Sequence, residues 1–156
     1  AAERADVVVL TVSPYHLTDL LDGVGDRLPE DAVVVTPAVG MESTDDGMVY
    51  APPPQGSVAA LVREATPAAN PVVGAFHTLP AGRLAALEES LDMDTFVFGD
   101  CESAVERVQT LAGEIEGLGT LAAGSLANAA SVEALTPLLV TLGARNDERD
   151  LGLKIV

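Results

Sequence analysis

Three apolar runs in this chain end in the same kind of polar punctuation. Val7-Val8-Val9-Leu10-Thr11-Val12 stops at Ser13-Pro14-Tyr15-His16, Ala32-Val33-Val34-Val35 stops at Thr36-Pro37, and Val72-Val73-Gly74-Ala75-Phe76 stops at His77-Thr78-Leu79-Pro80. β-Branched runs without polar alternation mark strands buried on both faces, as in a parallel sheet covered by helices. In open parallel sheets, ligands bind beyond the carboxyl ends of the strands. The three strand ends, carrying hydroxyls, imidazoles and prolines, are therefore expected to converge on one site.

Between these runs the period changes. Leu17, Leu20, Leu21 and Val24 recur at helical spacing with Asp19, Asp22 and Asp26 interleaved, which predicts an amphipathic helix ending near Arg27-Leu28-Pro29. Asp6 to Thr36 then reads as a right-handed βαβ unit. Gly40 to Gln55 is a polar, proline-rich excursion in which Met48-Val49-Tyr50 is expected as a short edge strand. Ser57 caps a helix with Val58, Leu61 and Val62 inward, stopping before Pro67.

Past the third run the composition shifts. Ala81 to Leu91 predicts a helix and Thr95 to Phe98 a strand. Asp100 is the expected N-cap of a helix striped by Val105, Val108, Leu111, Ala112 and Ile115, with Gly117 at C′. Gly119 to Ala123 reads as a turn with a short strand. Ser125 to Leu142 has almost no polar face, and a helix apolar all round is buried all round. It is expected in a subunit interface or beneath an absent N-terminal part, with Pro137 kinking it near Glu133. The chain does not begin with Met and its first strand starts close to Ala1, so a missing N-terminal part is expected. The predicted fold is α/β: the later strands of a Rossmann-like parallel sheet over residues 1–78, then a small α+β C-terminal domain over 79–156.

Composition narrows the function. At 156 residues and 48% hydrophobic, the chain can bury a real core. It carries 24 acidic and 8 basic residues, a formal charge of -16, and Lys154 is its only lysine. The acids are dispersed rather than gathered in a tail, as expected of a halophilic protein in a salt-saturated cytoplasm, where repulsion is screened within roughly 3 Å at ~1 M salt. No basic patch exists to bind a phosphate backbone, which argues against nucleic acid and equally against an anionic membrane. The stretch from Ala134 to Leu142 is shorter than the ~20 residues a membrane span needs. One cysteine, Cys101, leaves no disulfide framework or Cys-cluster metal site, and no carboxylate or thiol sits at ligand spacing to His16 or His77, so no metal is expected.

His16 and His77, the only histidines, both fall just past the end of a predicted strand. An isolated histidine is more often a satisfied core residue, and Pro14, Pro37 and Pro80 can simply stop strands. Their functional reading is a set of stiff loops forming a flat wall for an apolar ring. No Gly-x-Ser-x-Gly elbow surrounds Ser13, and no Walker loop or zincin motif occurs. The Gly-x-Gly-x-x-Gly turn of dinucleotide-binding domains is also absent.

From Ala75 to Val156 an ordered string carries a resemblance: Phe76-His77-Thr78-Leu79-Pro80-Ala81, Phe98-Gly99-Asp100, Glu114-Ile115-Glu116-Gly117-Leu118, Ala123-Gly124-Ser125-Leu126-Ala127-Asn128, Val132-Glu133-Ala134-Leu135-Thr136-Pro137-Leu138-Leu139 and Leu151-Gly152-Leu153-Lys154-Ile155. It is similar to the NADPH-dependent coenzyme F420 reductases (reduced coenzyme F420:NADP oxidoreductases), here of haloarchaeal type. Thr11-Val12-Ser13-Pro14-Tyr15-His16 and Thr36-Pro37-Ala38-Val39 resemble the family's later nucleotide-domain loops. The glycine-rich turn and the basic residues that select the NADP 2′-phosphate have no counterpart here, and Arg145 to Asp150 is more charged than the family's corresponding loop.

The resemblance implies an oxidoreductase transferring a hydride directly between C5 of the deazaflavin and C4 of the nicotinamide, with NADP and coenzyme F420 as cofactors. It implies Ser13, Pro14 and His16 near the ring pair, Pro37, Ala38 and Val39 as a backbone wall, and His77, Thr78 and Leu79 against the deazaflavin. Leu151 and Gly152 would close the pocket from a C-terminal strand, and His77 would be the catalytic residue that orients or polarises the deazaflavin. A cytoplasmic homodimer or higher homo-oligomer is expected. Two rivals remain at this point: a non-catalytic ligand-binding or dimerisation module, and a dinucleotide-dependent reductase of a small imine or ketoacid. The latter calls for a lysine or carboxylate at the strand ends, which the sequence lacks.

Overall fold

Valine runs lying between amphipathic helices dictate the order of elements. In chain order, the computed structural model, which describes residues 2–86 and 88–156, contains β1 (Val7–Val9), α1 (Leu17–Val24), β2 (Val33–Thr36), β3 (Met41–Thr44), β4 (Gly47–Tyr50), α2 (Val58–Ala65) and β5 (Val72–Gly74). These are followed by α3 (Ala81–Ala85), β6 (Met93–Gly99), α4 (Glu102–Gly113), β7 (Leu118–Ala122), α5 (Ala129–Glu133) and α6 (Leu135–Asn146). Five strands form one sheet in the order β1-β2-β5-β6-β7, and β3 and β4 form a separate hairpin. The β1–β2, β2–β5 and β6–β7 pairs are parallel; β5–β6 is antiparallel. The chain therefore has the α/β, mostly parallel, Rossmann-like architecture. The strands on either side of residue 78 are direct neighbours in it.

Unbroken apolarity in the central strands follows from cover on both faces. Successive strand residues point to opposite sides. Val33, Val35 and Val73 pack with Ala104, Val105 and Val108 of α4. Val34 and Val72 pack with Leu17 and Leu21 of α1 and Val58 and Val62 of α2. Where β5 meets β6, Gly74 is required because a Cβ there would collide with the Phe98 ring.

Several local expectations are corrected. The excursion after β2 holds a two-stranded hairpin rather than one edge strand, with Thr44 opposite Gly47 across Asp45-Asp46. Gly47, just after the turn residues, holds φ 121°, a backbone conformation that side chains rarely adopt. Thr141 of α6 fastens the hairpin to that helix, its Oγ accepting from Met48 N–H at 2.8 Å and donating to Met48 O at 3.1 Å. α3 spans only Ala81–Ala85, and Leu87 of the expected longer helix lies outside the described residues. Asp100 does not cap α4, whose N-cap is Cys101; its carboxylate instead accepts from Leu126 N–H at 3.1 Å. Gly117 is not at the C′ position of α4, which ends at Gly113. It turns at φ 76° against the Leu91–Asp92 backbone, where a Cβ would clash.

The long apolar helix is interrupted, at Ala134, as the missing Pro137 N–H requires. Within the single chain Leu138, Val140 and Leu142 are exposed, so the chain itself does not bury the helix all round. By length and composition the 21-residue run Leu126–Asn146 could cross a bilayer. Glu133, Thr136 and Thr141 instead tie it by hydrogen bonds to α2, the chain after β5 and the hairpin.

Candidate functional site

Two clefts flank Met41 at the start of the hairpin, and both lie past the carboxyl ends of the first three parallel strands. One, of about 530 Å³, is lined by Ser13, Pro14, Tyr15 and Thr18 after β1, by Val39 to Glu42 after β2, by Ala51 to Pro54, and by Val58 and Leu61 of α2. The other, of about 660 Å³, is lined by Thr78 to Gly82, by the α6 face of Thr136, Leu139, Val140, Gly143 and Ala144, and by Glu148 to Leu151. Met41 borders both.

The expected site residues divide between the clefts. Ser13, Pro14 and Val39 line the first; Thr78, Leu79 and Leu151 line the second. His16 is exposed, while Pro37 and Ala38 are half-buried, and none of the three lines either cleft. Ala38 packs into the core beside α1 and α2, its N–H held by the Thr36 hydroxyl at 3.3 Å. Gly152 lies against Met93, where a Cβ would run into the thioether.

His77 is 5% exposed, stacked on Phe98 with ring centroids 5.3 Å apart. Phe76 takes the left-handed conformation at φ 68°, so the chain turns sharply after β5 and the imidazole goes into the protein rather than into the crevice. Neither ring nitrogen has a hydrogen-bond partner, and burial lowers the pKa to about 4. The His77 carbonyl accepts from the Thr136 hydroxyl at 2.7 Å, joining β5's exit to α6. Beside it, the Thr78 hydroxyl is buried with no partner, and Thr78 is one of the residues lining the 660 Å³ cleft.

Sequence reasoning missed the proline wall (Pro52 to Pro54), Met41 and the α6 face. The triplet was visible as a composition feature, but its place beside β1 depends on the path of the hairpin. It missed Glu133 too, which is fully buried. Its carboxylate accepts from Val58 N–H and Ala59 N–H, both at 2.9 Å, and from the Tyr50 hydroxyl at 2.8 Å. Burial raises its pKa against the pull of those three donors, and burial with the adjoining carboxylate raises that of Tyr50.

The C-terminal segment is not a regular strand, but it is held as firmly as one. Asp94 of β6 donates its N–H to Leu153 O at 2.7 Å, and its carboxylate accepts from Ile155 N–H at 2.6 Å and from Lys154 Nζ at 3.3 Å. The Ile155 N–H, then Lys154, lower the Asp94 pKa against the opposing effect of burial. This anchoring sets Leu151 at the edge of the second cleft.

The F420-dependent NADP reductase of Methanothermobacter thermautotrophicus is 34% identical to the chain over 158 residues, covering 99% of the chain and 68% of that protein. This chain belongs to the F420-dependent NADP reductase family. The F420-dependent NADP reductase of Methanocaldococcus jannaschii is 31% identical over 161 residues, 99% of the chain and 70% of that protein. A crystal structure of an Arthrobacter sp. FB24 protein matches the fold at a TM-score of 0.83 and 19% identity, covering 99% of this chain and 71% of that one. No protein-family model matches the chain.

Proposed function

We propose that this member of the F420-dependent NADP reductase family is an oxidoreductase acting between coenzyme F420 and NADP, its 660 Å³ cleft taking the deazaflavin and its 530 Å³ cleft the nicotinamide. The observation that carries the reading is the pair of clefts meeting at Met41. When bound, the two cofactors supply the redox chemistry between them, a hydride exchanged between C5 of the deazaflavin and C4 of the nicotinamide.

Such chemistry asks a protein for alignment and exclusion of water rather than for a strong acid or base. The 530 Å³ cleft has no lysine or arginine in its lining, which suits a ring better than a phosphate. Pro14, Val39 and Pro52 to Pro54 would form the apolar walls around that ring, with the Ser13 hydroxyl at its edge. Thr78 and Thr136 would line the deazaflavin site, the Thr136 hydroxyl proton being held by His77 O, and Leu79 and Leu151 would cover it. His77 would act through the wall it anchors: its carbonyl bond to Thr136 and its stack on Phe98 hold Thr78 and Leu79 in place.

The test is deazaflavin absorbance after NADPH is added to the full protein in molar KCl. Loss of absorbance that needs both cofactors, and is slower with NADH, is expected; folded protein without turnover would refute the reading. His77→Ala should weaken deazaflavin binding more than NADP binding, and equal effects on both would remove its role. The exposed Leu138 and Leu142 of α6 support a homo-oligomer, and a cytoplasmic location is part of the same proposal.

A further inference from the structure

Glu133 lies between elements that line the two clefts. It ends α5, directly before the helix that lines the 660 Å³ cleft, and its carboxylate is bonded across to the N-terminus of α2. The first three N–H groups of a helix lack partners within it. In α2, Val58 and Ala59 give theirs to Glu133, and Ala60 gives its own to the Ser57 hydroxyl at 3.0 Å. That helix end is therefore filled by the protein's own carboxylate and is closed to a ligand phosphate. The same carboxylate takes the Tyr50 hydroxyl from the end of β4. One buried side chain thus clamps both ends of the segment from Ala51 to Ser57, whose prolines wall the 530 Å³ cleft.

We infer that Glu133, with Tyr50, is a positioning residue that sets the proline wall of the 530 Å³ cleft. A group that merely stabilised the fold would affect both clefts alike. This clamp would act on ligands of the proline-walled cleft, so its loss should be selective. The inference rests on the assignment of nicotinamide and deazaflavin to the two clefts made above.

The experiment is equilibrium titration of NADP+ and, separately, of coenzyme F420 into the full protein and into Tyr50→Phe and Glu133→Gln. Hydrogen exchange is read on the same proteins. Tyr50→Phe removes the one hydroxyl proton that Glu133, at 2.8 Å, shares with Gly56 O, at 3.3 Å, and leaves α2 capped, so it keeps the test open if Glu133→Gln does not fold. The expected result for Tyr50→Phe is a rise in Kd for NADP+ of roughly fivefold to tenfold, the worth of one hydrogen bond. The Kd for F420 should stay within about twofold, and Glu133→Gln should go further in the same direction. Unchanged affinities, or both affinities falling together in folded variants, would overturn the inference. If the unaltered protein binds neither cofactor, the cofactor assignment fails and exchange decides. Faster exchange confined to residues 51–59 upholds the clamp, and unchanged or globally faster exchange overturns it.

Discussion

A buried imidazole with no partner makes His77 a record of pH. Its pKa is lowered to about 4 by burial, against 6.5 in the unfolded chain. The unfolded state therefore binds the extra proton first, and stability falls as pH drops through that window. The difference corresponds to about 3 kcal/mol, lost between neutrality and pH ~4. His77→Phe, which keeps a ring to stack on Phe98, should flatten this part of the profile. Urea titrations of both proteins at a series of pH values check it: parallel profiles would show that His77 does not titrate in this way. The position of His77 at a strand end was legible in the sequence; its inward direction was not. That depends on the left-handed Phe76 and on the aromatic surface that Phe98 lays over Gly74.

Among the elements, the parallel valine strands and the amphipathic α1 and α2 were legible because period and burial reinforce each other in them. The C-terminal segment was legible only as a motif, since its order comes from one side chain of another element. Asp94 holds it, and because the folded carboxyl is the more acidic one, that hold is present at neutral pH and lost as pH falls through the carboxylate range. Asp94→Asn keeps the size but loses the charge facing Lys154 and weakens the acceptor for Ile155 N–H. It should raise amide exchange over residues 153–156 and weaken deazaflavin binding through Leu151. Exchange unchanged in that segment would show that Asp94 is not its anchor. For apolar α6, composition implied burial but not by what: in the fold one side, Val140 included, faces the 660 Å³ cleft, and Leu138 and Leu142 are exposed on the single chain.

Across the whole molecule, charge and exposed apolar surface pull in different directions. With 24 acidic against 8 basic residues, mutual repulsion opposes the compact state until salt screens it. Melting temperature should therefore rise steeply between about 0.1 M and about 1 M KCl, where the Debye length shrinks from roughly 10 Å to roughly 3 Å. A flat response would remove the halophilic reading. If α6 packs against a second copy, Leu138→Glu should lower the sedimenting mass in molar KCl without unfolding the protein. An unchanged mass would place any interface elsewhere.

The sequence by itself determined the buried strands, the parallel sense of the first three and the acidic composition, because each is written in local period or in composition. Which strand ends share a cleft was decided by tertiary structure alone. The hairpin brings Met41 between the clefts, the left-handed turn at Phe76 withdraws the imidazole, and Glu133 reaches 74 residues back along the chain to Ala59. Contacts of that separation leave no period in the sequence; they exist only once burial has removed water from the groups that make them.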